Sequence, residues 1–168
     1  MTDAVERHLK NTGKVIVWRE VKLGRGRVDL VAYDKNAKLF KIIECKLHSK
    51  PINSAKTFGQ AVNYLSTLDG DEQVSKFLDV VSSKEESQMK FSRWLQATHN
   101  GKRITVAAFV ALTDKACKQP ELHKLRERFP RIGVIRVKPN GYCRDTLPRP
   151  DGTRDPKAAQ ARPEMLNL

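Results

Sequence analysis

Short apolar runs and helix-spaced stripes take turns along the chain. "KVIVWREV" (14–21) is rich in β-branched residues and predicts a first strand, and "RVDLVAY" (27–33) alternates as a second. Between them "LGRGR" (23–27) places two glycines among arginines, the composition of a turn. "DKNAK" (34–38) supplies hairpin chemistry, because Asp and Asn tolerate turn backbone angles. "LFKIIECKL" (39–47) then predicts a third, interior strand that Pro51 closes. Phe58, Ala61, Val62, Leu65 and Leu68 recur at amphipathic helical spacing over 54–68, with Ser54 placed to cap. Two further helices are expected over 72–98, anchored by Val74, Phe77, Leu78 and Val81 and then by Phe91, Trp94 and Leu95. "RITVAAFVAL" (103–112) is apolar throughout and predicts a fourth strand buried on both faces. A helix over 119–129, ended by Pro130, and a fifth strand over 132–139 follow. A short helix over 3–12, with Thr2 or Asp3 as its cap and Gly13 past its end, precedes them all.

This order predicts an α/β sandwich with a mixed central sheet of about five strands flanked by helices, and a helical insertion at 70–101. From Cys143 onward four of the eight prolines gather and no apolar period is left. The expected division is therefore a domain over 1–142 and a flexible Pro/Arg-rich tail over 143–168.

Charge sharpens the picture. The 168 residues carry 32 Lys and Arg against 19 Asp and Glu, a net +13, and the tail contributes only +1 of it. The basic excess belongs to the folded body, which favours a polyanionic partner, nucleic acid before acidic membrane. Three widely spaced cysteines (Cys45, Cys117, Cys143) argue against a disulfide framework or structural zinc. The N-terminal "MTDAVERHLK" lacks the apolar core of a signal peptide, and no apolar stretch is long enough to span a bilayer. An intracellular, cytoplasmic protein is expected.

Glu44 and Lys46 end the third strand, where burying charge is costly. Residues two apart on a strand face the same way, so both project from one side while Ile43 and Cys45 enter the opposite layer. The hairpin brings Asp29 of the second strand alongside. Two adjacent carboxylates repel unless a cation lies between them, and hard oxygen donors suit Mg²⁺ or Mn²⁺. A lysine beside such an ion can hold or help deprotonate the water that attacks a phosphodiester. A bare E-x-K is an ordinary strand ion pair worth about 0–1 kcal/mol, and Glu20 with Lys22 makes a second copy. Only the Glu44 copy follows an aspartate on a paired strand. On the next helix Gln60 and Tyr64 lie four apart, to one side of the apolar stripe, where an amide and a phenol can reach a metal or a phosphate.

Val28-Asp29, Glu44-Cys45-Lys46 and Gln60-x-x-x-Tyr64 together resemble the PD-(D/E)XK nuclease superfamily, of restriction-endonuclease-like fold. Valine stands where the family name has proline. The helix and meander also resemble the nuclease domains of RecB-type enzymes, of archaeal and actinobacterial mismatch endonucleases, and of archaeal Holliday-junction resolvases. The motifs cover residues 3–68, and element order alone extends the likeness over 103–139.

The resemblance implies Asp29 and Glu44 as metal ligands, the Cys45 carbonyl as a further one, and Lys46 as the catalytic lysine. Gln60 and Tyr64 become supporting groups. Glu20 becomes an additional acid or the holder of an arginine, with Glu6 and His8 of the first helix as the other candidates. Arg25, Arg27, Lys50 and Lys56 flank this site as nucleic-acid contacts. The expected activity is a Mg²⁺-dependent deoxyribonuclease, an endonuclease in preference to an exonuclease, with Mn²⁺ and RNA left open. The alternative is a non-cleaving nucleic-acid-binding module of the same fold. Phe91 and Trp94 offer either a homodimer face or core packing.

Overall fold

The computed structural model of the chain describes residues 1–12, 15–47, 51–68, 71–83 and 105–146. Six strands form one sheet in the order β1 (Val15–Leu23), β2 (Gly26–Asp34), β3 (Leu39–Lys46), β4 (Thr105–Thr113), β5 (Ile132–Val137) and β6 (Cys143–Thr146). β1, β2 and β3 form an antiparallel meander, β3, β4 and β5 run parallel, and β6 turns back antiparallel on the edge. The sheet is mixed and open, with helices on both faces.

Helix α1 (Thr2–Asn11) covers one face, where Val5 and Leu9 pack on Leu30, Ile43, Phe109 and Ile135. The opposite face carries α2 (Pro51–Thr67), α3 (Asp71–Ser82), the single turn α4 (Asp114–Cys117) and α5 (Pro120–Arg128). There Phe58, Tyr64, Leu65, Phe77 and Leu122 close over Val31, Ile42, Val110 and Val134. β4 lies between two parallel neighbours and is covered on both sides, so eight of its nine residues are buried, as its unbroken apolarity predicts.

Three boundaries differ from the sequence reading. Helix α2 begins at Pro51, three residues before the expected Ser54 cap. Proline has no amide to leave unpaired and its fixed φ suits a first helical turn, so it starts this helix as well as closing the strand before it. Ser54 is buried within the helix. The ordered body runs beyond 142, because Cys143–Thr146 pairs with β5 as a sixth strand. "PNGYC" is its hairpin signal, but "CRDT" is too short to read as a strand from sequence. A four-residue turn, capped by Thr113 accepting from the Ala116 amide, precedes α5. The expected helix around Phe91 and Trp94, most of the 70–101 insertion, Lys50 and the tail from 147 onward lie outside the described residues.

The β1–β2 turn leans directly on α2. Gly24 has φ +58°, and a Cβ there would stand 2.8 Å from the Thr67 methyl; one on Gly26 would stand 3.1 Å from the Tyr64 ring. Gly24→Ala meets both a left-handed backbone and a clash, so it should cost at least about 1–2 kcal/mol in urea unfolding. Gly59, inside α2 with nothing within 4 Å of its would-be Cβ, provides the opposite case. Gly59→Ala should raise stability by about 0.5–1 kcal/mol.

Candidate functional site

The β1–β2 ladder is interrupted at one rung. Pairing runs from Val15↔Asp34 to Arg19↔Leu30 and resumes at Val21↔Val28, stepping over Glu20 and Asp29. Glu20 adopts φ +52°, a left-handed backbone that L-residues with a Cβ rarely take inside a strand. The side chains change faces there. Trp18 and Val21, an odd number apart, share one core layer, as do Val28 and Val31. Strict alternation along "RVDLVAY" therefore fails at the aspartate.

β2 also parts from β3 at this level. Their pairing ends at Leu30↔Ile43, while β3 continues beside β4 to Lys46↔Leu112. The fork leaves β3 amides without a strand partner, and Asp29 supplies one: the Cys45 amide donates to its Oδ2 at 2.7 Å. A side-chain carboxylate thus takes the place of a ladder carbonyl.

Glu44 and Lys46 project into the fork on the α2 side, while Ile43 and Cys45 face the α1 side, as the strand period predicts. Lys46 Nζ lies 2.7 Å from Glu44 Oε1 and 3.7 Å from Asp29 Oδ2. Glu44 is only 3% exposed. Tyr64, reaching down from α2, donates its proton to the Arg27 carbonyl at 3.0 Å, and its oxygen sits 3.5 Å from Glu44 Oε2. The two acids, the lysine and the tyrosine singled out in the sequence therefore meet at one point.

Electrostatics follow from that crowding. Burial, reinforced by the Asp29 charge, raises the Glu44 pKa above its ordinary value, and Lys46 and Tyr64 offset part of the rise. Burial alone would lower Lys46, but the Glu44 hydrogen bond and the two acidic charges outweigh it and raise the ammonium's pKa. Burial and then the Glu44 and Asp29 charges push Tyr64 up to about 12. Burial and the Asp29 charge likewise push the Cys45 thiol up to about 12, so it is a neutral packing group. What Cys45 offers the site is its backbone.

The other candidates stand apart. Glu20 is exposed and faces Arg27 at 3.6 Å, holding an arginine as one of its two expected roles. Glu6 is engaged by Lys10 and Arg19, and His8 by Asp145 at 2.9 Å, so α1 adds no acid or histidine to the fork. Gln60 is half-buried one turn before Tyr64, and no hydrogen bond joins it to Asp29, Glu44 or Lys46 among the described residues. Arg25, Arg27 and Lys56 are exposed. Among the described residues no cluster of three or more His, Cys, Asp or Glu converges, so the acid set is the Asp29–Glu44 pair. No residue pattern announced the Cys45 amide lock or the Glu20 backbone, since both arise from tertiary divergence of two strands. Among the described residues, no helix is long and apolar enough to cross a membrane.

Compared with family models, curated proteins and solved structures, the chain has no match. What the fork can do has to be read from its own geometry.

Two outcomes follow. Asp29→Asn keeps an oxygen for the Cys45 amide and should unfold within about 1 kcal/mol of wild type, whereas Asp29→Ala leaves that amide unpaired and should cost about 1–3 kcal/mol in urea. The second concerns pH. Because folded Glu44 has a raised pKa, the folded chain binds more protons than the unfolded one from the ordinary 4.5 up to the folded value. This group's stability contribution is complete below 4.5 and is lost as pH rises through the folded pKa. Glu44→Gln should therefore gain in melting temperature relative to wild type as pH is raised across that window.

Proposed function

We propose that the protein is a Mg²⁺-dependent nuclease of the PD-(D/E)XK type, with a restriction-endonuclease-like core, hydrolysing phosphodiester bonds in DNA. The observation that carries this reading is the meeting of Asp29, Glu44 and Lys46 in one strand fork. Two carboxylates against one ammonium leave an uncompensated negative charge there. That donor set suits a hard divalent cation, which commonly takes one or two protein carboxylates and fills its other positions with water and substrate oxygens. When bound, Mg²⁺ supplies Lewis-acid polarisation of the phosphate and neutralises developing charge.

The chain's own residues divide the remaining work. Asp29 and Glu44 hold the ion, and the Cys45 amide fixes the Asp29 carboxylate in place. Lys46, within reach of both carboxylates, orients the attacking water and faces the charge that grows on the phosphate. Tyr64 braces the β1–β2 hairpin against Glu44. Arg25, Arg27 and Lys56 are exposed and would be the groups to meet neighbouring phosphates. Three free cysteines suit a reducing interior, so we place the enzyme in the cytoplasm.

One observation favours a second reading, a nucleic-acid-binding module that does not cut. Lys46 already pairs with Glu44 at 2.7 Å and the Cys45 amide with Asp29, so each carboxylate has a partner without any ion. Metal dependence separates the two. With labelled linear, single-stranded, flapped and branched DNAs in Mg²⁺, wild type should cleave and Asp29→Asn and Lys46→Ala should each lose at least about 100-fold in rate. Mg²⁺ should also raise the melting temperature of wild type and not of Asp29→Asn. Equal cleavage by wild type and both variants, or no cleavage together with no Mg²⁺ effect, would refute the nuclease.

A further inference from the structure

The β5–β6 hairpin carries a second feature on the same side of the sheet as the fork. Arg136, Lys138, Asn140, Tyr142 and Arg144 line an open, largely polar cleft of about 490 Å³. Tyr142 is 59% exposed, one of two large apolar side chains left in solvent among the described residues. Lys138 Nζ lies 5.3 Å from the centre of its ring. The turn beneath is fixed: the Lys138 amide donates to the Tyr142 carbonyl at 2.9 Å, the Gly141 amide to the Lys138 carbonyl at 2.9 Å, and the Tyr142 amide to Asn140 Oδ1 at 3.1 Å. Arg136 is held by Asp114, and Arg144 has no carboxylate partner among the described residues.

Sheet register ties this cleft to the fork. Lys46 pairs with Leu112, Leu112 with Arg136, and Arg136 with Arg144, so one rung crosses four strands. At about 4.8 Å per strand, Arg144 stands roughly 14 Å from Lys46. That is the rise of about four stacked nucleotides.

We propose that this cleft binds a single-stranded nucleic-acid segment, with a base stacked on Tyr142 and backbone phosphates held by Arg144 and Lys138. An exposed ring between cations is the pairing that single strands use, because every base has a π-face and every linkage a charge. A duplex keeps its base faces stacked away from such a ring. The role of the cleft as an anchor for a strand leaving the cutting site rests on the nuclease reading; its binding does not.

Fluorescence anisotropy on the full chain in EDTA, where no metal-dependent cleavage occurs, provides the test. The probes are an oligo(dT) of about 15 nucleotides and a blunt duplex, with oligo(U) telling DNA from RNA. Tyr142→Ala should weaken oligo(dT) binding at least about 5-fold, and Tyr142→Phe, which keeps the ring, should bind as wild type. Arg144→Ala should reduce the slope of log Kd against log salt by about 0.7, the loss of one single-strand phosphate contact. Unchanged affinity in Tyr142→Ala, or an equal loss on the blunt duplex, would overturn the proposal. A chain that cuts nothing yet shows the Tyr142 effect would refute the nuclease and leave the cleft assigned. A chain that cuts but ignores Tyr142 would do the reverse.

Discussion

The bond between the Cys45 amide and the Asp29 carboxylate, 2.7 Å long, fixes how β2 leaves β3. An ordinary meander would have carried backbone pairing to the strand ends and left no space between them. Here β2 pairs with β3 only from Leu30 onward, and at the level of Asp29 a side chain replaces the missing rung. Asp29, Glu44 and Lys46 meet in the opening so made. Glu44 has room to enter it, Lys46 can follow, and the β1–β2 hairpin, freed from β3, swings against α2 until Tyr64 reaches the Arg27 carbonyl.

That arrangement is locally unfavourable in three ways. Glu20 holds a left-handed backbone, Glu44 is buried with its pKa raised, and two carboxylates share one ammonium. None of these helps the fold, and each would be relieved by a simpler sequence. A glycine at 20 would remove the strain, and an apolar residue at 44 would remove the buried charge. Strain and charge are thus concentrated at one rung of the sheet, where they persist because the surroundings hold them. The surroundings here are ample. β4 is buried along nearly its whole length, and helices close over both faces of the sheet.

Most of the architecture was legible because hydrophobic period reports burial directly. β1 to β5, α1, α2 and α5 lie within a few residues of where apolar spacing puts them, and the unbroken apolarity of β4 foretold its two covered faces. The E-x-K pair and its aspartate were legible for a simpler reason: strand period puts Glu44 and Lys46 on one side, and a hairpin makes Asp29 a neighbour. What could not be read was where two strands diverge. Neither the reversal of faces at Asp29 nor the amide that anchors it has a pattern in the sequence, since both depend on how the hairpin packs against α2. β6 was missed on different grounds. One buried cysteine and three polar residues on a sheet edge are too few to be periodic, although the "PNG" before them names the turn.

The central claim is that Asp29 and Glu44 hold a divalent ion between β2 and β3 with Lys46 at its side. A crystal soaked in Mn²⁺ and measured near the manganese absorption edge tests this most directly. One anomalous peak bridging the two carboxylates, lost in crystals of Asp29→Asn, is the predicted result. Full manganese occupancy elsewhere on the surface, with Glu44 still closed on Lys46 and nothing in the fork, would contradict it.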